Sequence, residues 1–262
     1  MGYLESGRRL IPNSTLGQKN MTKDYDHSTA YHYSVYRPSL HSEILTEFFG
    51  EQGKYGMGLD IGCGTGHSAI ALTNFCEKVI GIDPSKDMLE KSIAHPGVAY
   101  QLQHREKLEF ADDTFDVVTY AGSLYYTKSQ QILNETVRVC TRDSGIVVYD
   151  FELFLEEALR MLQIDADSNP QSEYDHRTNF SGLDQKQIQI EKELHTSVSV
   201  EMSLSDLAHL VLSVKDNYTL LLNSFGNNGL HDKVSQKLYS TFKTEKTTIN
   251  GMTYLTSYRV KK

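Results

Sequence analysis

Between residues 57 and 149, short apolar runs alternate with stretches whose apolar residues recur at helical spacing. Met57–Ile61, Lys78–Ile82, Val98–Leu102, Phe115–Tyr120 and Ile146–Tyr149 read as strands. Ser68–Phe75, Lys86–Ile93 and Gln130–Cys140 read as the helices between them. Continuous apolar strands alternating with helices predict a parallel sheet buried on both faces. Upstream, Leu40, Ile44, Leu45, Phe48 and Phe49 mark a helix over Leu40–Gln52, with Pro38 placed where it can begin.

The pattern changes after Asp150. Phe151–Gln163 is expected to be helical, and the polar stretch Asp165–Gly182 a loop or lid. Ile188–Val200 alternates apolar and polar residues as a half-exposed strand does. Two or three helices are expected between Ser203 and Phe242. Asn250-Gly251 reads as a tight turn before a last strand, Met252–Val260. Residues 1–24 lack periodicity and are expected to form a flexible arm before one domain over residues 25–262. The segments at approximately 151–187 and 203–243 are the candidates for a small helical cap that selects substrate.

Composition narrows the classes. A chain of 262 residues with 39% hydrophobic and 23% charged residues is an ordinary globular protein, not a disordered one. Its net charge is -8 and it shows no basic stripe, so neither nucleic acid nor an anionic membrane is expected as a partner. No apolar run approaches the ~20 residues of a membrane span. The first thirty residues hold no apolar core of a secretory leader, which points to a cytoplasmic location. Cys63, Cys76 and Cys140 are odd in number and widely spaced, without CxxC or HExxH. Reduced thiols and no metal are therefore expected.

The stretch Gly58-Leu59-Asp60-Ile61-Gly62-Cys63-Gly64-Thr65-Gly66-His67 joins the first strand to the next helix. Glycines there let the backbone turn tightly and approach a ligand at the carboxyl ends of the strands. Gly62, Gly64 and Gly66 form GxGxG, with His67 where the third glycine of the dinucleotide fingerprint would fall. A P-loop is excluded, because no GxxxxGK[ST] occurs. The second strand ends in Gly81-Ile82-Asp83-Pro84-Ser85, and a carboxylate there can accept both ribose hydroxyl hydrogens of a nucleoside. An adenosine-type ligand without an obligatory pyrophosphate follows.

LDIGCGTG, GIDPSKDML and LEFADDTFDVV together resemble the class I S-adenosylmethionine-dependent methyltransferases, methyltransferase type 11. More narrowly they resemble the small-molecule branch with the trans-aconitate methyltransferase-like group. Tyr36-Arg37-Pro38-Ser39 is similar to that group's YRPS motif. The resemblance implies a Rossmann-like, seven-stranded, mostly parallel α/β sheet with helices on both faces and an antiparallel last strand. It implies S-adenosylmethionine as cofactor, leaving S-adenosylhomocysteine as product, and a small-molecule substrate. Asp60, Gly62, Cys63, Gly64 and Gly66 would border the donor's methionine part, and Arg37 would pair with its carboxylate. Asp83 would bind the ribose, and Pro84 and Met88 would pack on the adenine. His104, Arg105 and Glu106 fall where the family has Asp-Ala-Glu near the adenine. Ala121 and Gly122 would lie beside the methyl group. After the fourth strand the family often has His-Trp or His-His, whereas this chain has Leu124-Tyr125-Tyr126 and no Trp.

Methyl transfer from a sulfonium is an in-line displacement that positioning and desolvation can drive, so a catalytic triad is not required. A carboxylate acceptor needs no base, whereas a hydroxyl or protonated amine does. Tyr125, Tyr126 and His176 are the catalytic candidates. Tyr25, Tyr31, Tyr33 and Tyr36 form either an aromatic staple or a lid whose faces attract a sulfonium, with Tyr33 the candidate for cofactor contact. His209, on an apolar helix, reads as a packing residue, and Asp112-Asp113 as a solvated loop. Two other readings stay open. One is a non-catalytic protein that binds the donor or its product; the other is a nicotinamide-dependent oxidoreductase, which the missing glycine disfavours.

Overall fold

The computed structural model describes residues 27–36, 38, 40–50, 54–103, 107–164 and 174–262. The arm expected over residues 1–24 lies outside them, as does Tyr25. The chain begins with helices α1 (His27–Val35) and α2 (Leu40–Phe49). It continues through β1 (Tyr55–Ile61), α3 (His67–Leu72), β2 (Cys76–Asp83), α4 (Lys86–Leu89), β3 (Val98–Leu102), β4 (Phe115–Ala121), α5 (Leu124–Thr127) and α6 (Gln130–Val139). Then come β5 (Cys140–Leu153), α7 (Glu156–Met161), β6 (Ile188–Ser203), α8 (Leu204–Leu212), α9 (Lys215–Phe225), α10 (Leu230–Phe242) and β7 (Lys246–Val260).

The strands form one seven-stranded sheet in the order β3-β2-β1-β4-β5-β7-β6. β1 to β5 pair in parallel, and β7 runs antiparallel to both its neighbours. The central strands are continuous apolar runs because both sheet faces are covered, so alternate residues feed opposite cores. Val118, Ile146 and Val148 join the core that α6 closes with Leu133 and Val137. Val117, Val147 and Tyr149 join the opposite core, which α2 and α3 close with Leu45 and Leu72. A third cluster gathers Leu159, Leu207, Val211, Leu221 and Val234 from α7 to α10 around Ile249 of β7.

Two expectations need correction. Phe151–Leu153 extend β5, paired with Gly251–Thr253, so the helix expected over Phe151–Gln163 is reduced to Glu156–Met161. The local apolar pattern suits either state, and the ladder offered by β7 decides. Asn250-Gly251 is not a turn but lies inside β7, opposite Ser199 and Val198. Gly251 is needed there because a Cβ would collide with the Glu152 carbonyl of the adjacent strand. The described part of the expected lid, residues 174–182, has no helix or strand, yet it is anchored. Phe180 is fully buried, and its backbone N–H donates to the Tyr258 hydroxyl at 3.0 Å.

Helix α1 was not foreseen, since its residues show almost no apolar face. It is held by a histidine contact instead. His32 Nδ1 lies 2.8 Å from Nδ1 of His209 on α8, and the His209 ring stacks on His231 of α10 at 3.8 Å. Burial, with the neighbouring imidazoles, lowers both the His32 and the His209 pKa to about 4.

Candidate active site

The carboxyl ends of β1, β2 and β4 open onto a narrow cleft, partly open to solvent. Its floor is the turn leaving β1. Gly62 and Gly66 hold φ values of 76° and 95°, which side chains rarely adopt. A Cβ on Gly62 would enter Ser123, and one on Gly66 would enter the Tyr100 ring. The turn therefore packs closely against β3 and the β4 end while its upper side faces the cleft.

Two buried aspartates hold this turn. Asp60 Oδ2 accepts from Ser68 Oγ at 2.5 Å, and Oδ1 accepts from Thr119 Oγ1 at 2.8 Å. Burial raises its pKa to about 6 against those hydrogen bonds, and nearby Asp83 adds to the rise. Asp83 Oδ2 accepts from the Gly64 N–H at 2.9 Å, and Oδ1 from the Ser85 N–H at 2.8 Å. The Ser123 hydroxyl donates to the Ile61 carbonyl, tying the β4 end to the β1 end.

The cleft brings together Tyr33, Gly62, Cys63, Gly64, Asp83, Met88, Ala121, Gly122 and Tyr126 of the sequence-based candidates. Asp60 is buried behind the turn, with both oxygens engaged inside the protein, and is not among the lining residues. Gly66, Pro84, Tyr125 and His176 do not line the cleft either. Arg37, His104, Arg105 and Glu106 lie outside the described residues. Asp112 and Asp113 are paired with Arg138 and Lys262, at 2.8 and 2.7 Å.

Sequence reasoning missed His41, Thr65 and Ser123, which also line the cleft. Thr65 Oγ1 is buried and makes no hydrogen bond among the described residues. A cradle with an orphaned hydroxyl in its floor fits a polar ligand that supplies the missing partner. Asp150 and Tyr174 were missed as well. The Tyr174 hydroxyl lies 2.6 Å from the Gly122 carbonyl and 2.8 Å from Asp150 Oδ2, which is also 2.9 Å from His176 Nδ1. The end of β5 is a place where site residues are expected in a parallel sheet, and that rule alone could have singled out Asp150. Burial opposes a charge on His176, yet the bonded Asp150, with Glu152 and Asp175, prevails and raises its pKa.

Residues 59–149 match the family model described as a methyltransferase domain. That stretch, about a third of the chain, is similar to a methyltransferase domain. The chain is 34% identical over 100 residues to the uncharacterized methyltransferase YcgJ of Bacillus subtilis, covering 35% of this chain and 39% of that one. It is 33% identical over 101 residues to the O-methyltransferase resE of Aspergillus sclerotiorum, covering 35% and 38%. These matches thus span well under half of either relative. A solved structure from Anaeromyxobacter dehalogenans, provisionally assigned as a type II methyltransferase, superposes with a TM-score of 0.60 at 14% identity. It covers 86% of this chain and 98% of that one, and it speaks to the shared fold. No helix among the described residues is long and apolar enough to cross a membrane.

Proposed function

We propose that this methyltransferase domain moves the methyl group of S-adenosylmethionine to a small-molecule acceptor. The observation that carries the reading is the glycine turn locked by Asp83 at the strand ends, within a domain of this family. When bound, the donor's sulfonium supplies an electrophilic methyl group. Gly62, Gly64 and the unsatisfied Thr65 hydroxyl would meet its amino-acid part. Asp83 would accept from the ribose hydroxyls, and Met88 would pack on the adenine. Asp60 supports the turn from behind. Tyr33 and Tyr126 line the cleft, and their ring faces favour a cation.

With the donor already activated, the protein's work is to orient the acceptor and exclude water. The segments around α7 and α8 to α10 are the proposed selectors of that acceptor. Calorimetry with S-adenosylhomocysteine tests the reading. Asp83→Ala should weaken binding by about 1–3 kcal/mol, as for a hydrogen bond to a charged group. Asp83→Asn, which keeps one acceptor oxygen, should lose less. Tight binding that neither variant alters would remove Asp83 from the site, and no binding to the wild type would overturn the function. A protein that only binds the donor would show the heat but transfer no methyl label.

A further inference from the structure

The ends of β4 and β5 carry a second constellation beside the cleft. Gly122 lines the cleft, and a Cβ added to it would sit 3.1 Å from Asp150 Oδ1 and 3.3 Å from the Tyr174 hydroxyl. Asp150 therefore lies directly behind Gly122, one residue away from the lining of the cleft, and the pair it forms with His176 adjoins the cleft. Its Oδ1 accepts the Phe151 N–H at 2.7 Å, and its Oδ2 faces His176 Nδ1. A carboxylate on Nδ1 selects the tautomer with the proton there, leaving the lone pair on Nε2. Among the described residues Nε2 makes no hydrogen bond, and the side chain keeps 29% of its exposure. The charged groups facing this imidazole are Asp150 and Glu152 from β5 and Asp175 beside it. Arg177 is drawn off over the Tyr254 ring at 5.3 Å. Aromatic surface adjoins the pair: the Tyr174 ring lies 4.6 Å from that of Tyr125 and 5.5 Å from that of Tyr126.

We propose that His176, oriented by Asp150, accepts a proton from the acceptor, and that the acceptor is an aromatic hydroxyl rather than a carboxylate. This rests on the methyl-transfer reading above. The acceptor oxygen forms the new bond to the methyl carbon, the carbon–sulfur electron pair stays with sulfur, and the hydroxyl proton passes to Nε2. The resulting imidazolium is stabilised by the Asp150 carboxylate and returns its proton to solvent. A carboxylate acceptor would arrive ionised and would give this pair nothing to do. The flat rings of Tyr125, Tyr126 and Tyr174 suit an aromatic acceptor. Asp150 acts as a positioning residue and His176 as the catalytic one.

The full chain is assayed with catechol, 4-nitrophenol and benzoate by release of S-adenosylhomocysteine, and its donor binding by calorimetry. His176→Gln should bind S-adenosylhomocysteine within about threefold of wild type. It should lose on the order of 10²–10⁴ in kcat/KM with catechol at pH 7. It should lose far less with 4-nitrophenol, which ionises unaided. By NMR, His176 should titrate above the ordinary histidine range, and Asp150→Asn should lower that midpoint. Phenol turnover unchanged in His176→Gln, methylation of benzoate alone, or a His176 titration indifferent to Asp150→Asn would each overturn the proposal. Donor binding without turnover of either phenol would overturn the hydroxyl assignment. Absence of donor binding by the wild type would instead strike the methyl-transfer reading itself.

Discussion

The two halves of the sheet are built to different rules. In β1 to β4 the strands pair in parallel, and the cleft is floored by the backbone of a glycine turn and the strand ends, braced by the Asp83 carboxylate. In β5 to β7 the strands are long, β7 reverses direction, and the distinctive groups are side chains, Asp150, Tyr174 and His176. Backbone geometry serves a ligand of fixed shape, which any member of the family could share. Side-chain chemistry serves a ligand that differs from one protein to the next. The family match falls on residues 59–149 and stops one residue before Asp150.

The largest effects should come from removing a glycine in each half, and they should separate stability from binding. Gly66→Ala places a side chain at φ 95° and against the Tyr100 ring, so about 2–4 kcal/mol of stability should go. Gly251→Ala should cost a similar amount, because its Cβ meets a backbone carbonyl that cannot rotate away. The binding readout differs. In denaturant titrations both should unfold early, but only Gly66→Ala should lose affinity for S-adenosylhomocysteine below its melting point. Equal loss of affinity in both would mean that the halves are not separable.

This division explains what could be read from sequence. The β1–β4 half was legible because each apolar run is bounded by residues with a single use, such as Gly62, Asp83 and Gly122. The second half misled. Phe151 sits in a pattern that fits a helix, and its strand pairing depends on Thr253, about a hundred residues away. Asn250-Gly251 has turn chemistry, yet its glycine answers to Glu152 across the sheet. Helix α1 has no apolar stripe to read, and its docking rests on His32 finding His209. Asp150 and His176 are 26 residues apart with no shared motif, so only folding reveals them as a pair.

A smaller effect concerns α1, which carries cleft-lining Tyr33 and is pinned to the second half by histidines. The folded chain keeps His32 and His209 neutral down to about pH 4, whereas in the unfolded chain they titrate near the ordinary value of 6.5. Between those values the unfolded state binds more protons, so acid favours unfolding. Stability from this pair is complete above pH 6.5 and falls as the pH drops through 6.5 toward 4. Each histidine contributes a loss of up to ~2 kcal/mol by pH 5, which corresponds to roughly 4–8 °C in melting temperature. His209→Gln should flatten that slope while lowering stability at pH 7. A slope unchanged in the variant would show that the acid sensitivity arises elsewhere.

The smallest effects distinguish two buried tyrosines that belong to one core but do different jobs. The Tyr258 hydroxyl of β7 accepts from the Phe180 N–H, so Tyr258→Phe leaves a buried donor without its partner. The Tyr120 hydroxyl of β4 lies 2.6 Å from Thr136 Oγ1, and that hydroxyl already donates to the Ile132 carbonyl at 2.7 Å. Tyr120 must then be the donor, and Tyr120→Phe leaves Thr136 still bonded. Losing a hydrogen bond without orphaning a donor costs about 0.5–1.5 kcal/mol, whereas an unsatisfied buried group costs about 1–3 kcal/mol. Tyr258→Phe should therefore be the more destabilising of the two in urea titrations, and it should also loosen the 174–182 segment. Hydrogen exchange at Phe180 checks this, since protection there should fall in Tyr258→Phe and hold in Tyr120→Phe. Protection at Phe180 that holds in Tyr258→Phe would mean that this segment is held by ring packing of Phe180 against Tyr120 rather than by its backbone bond to β7.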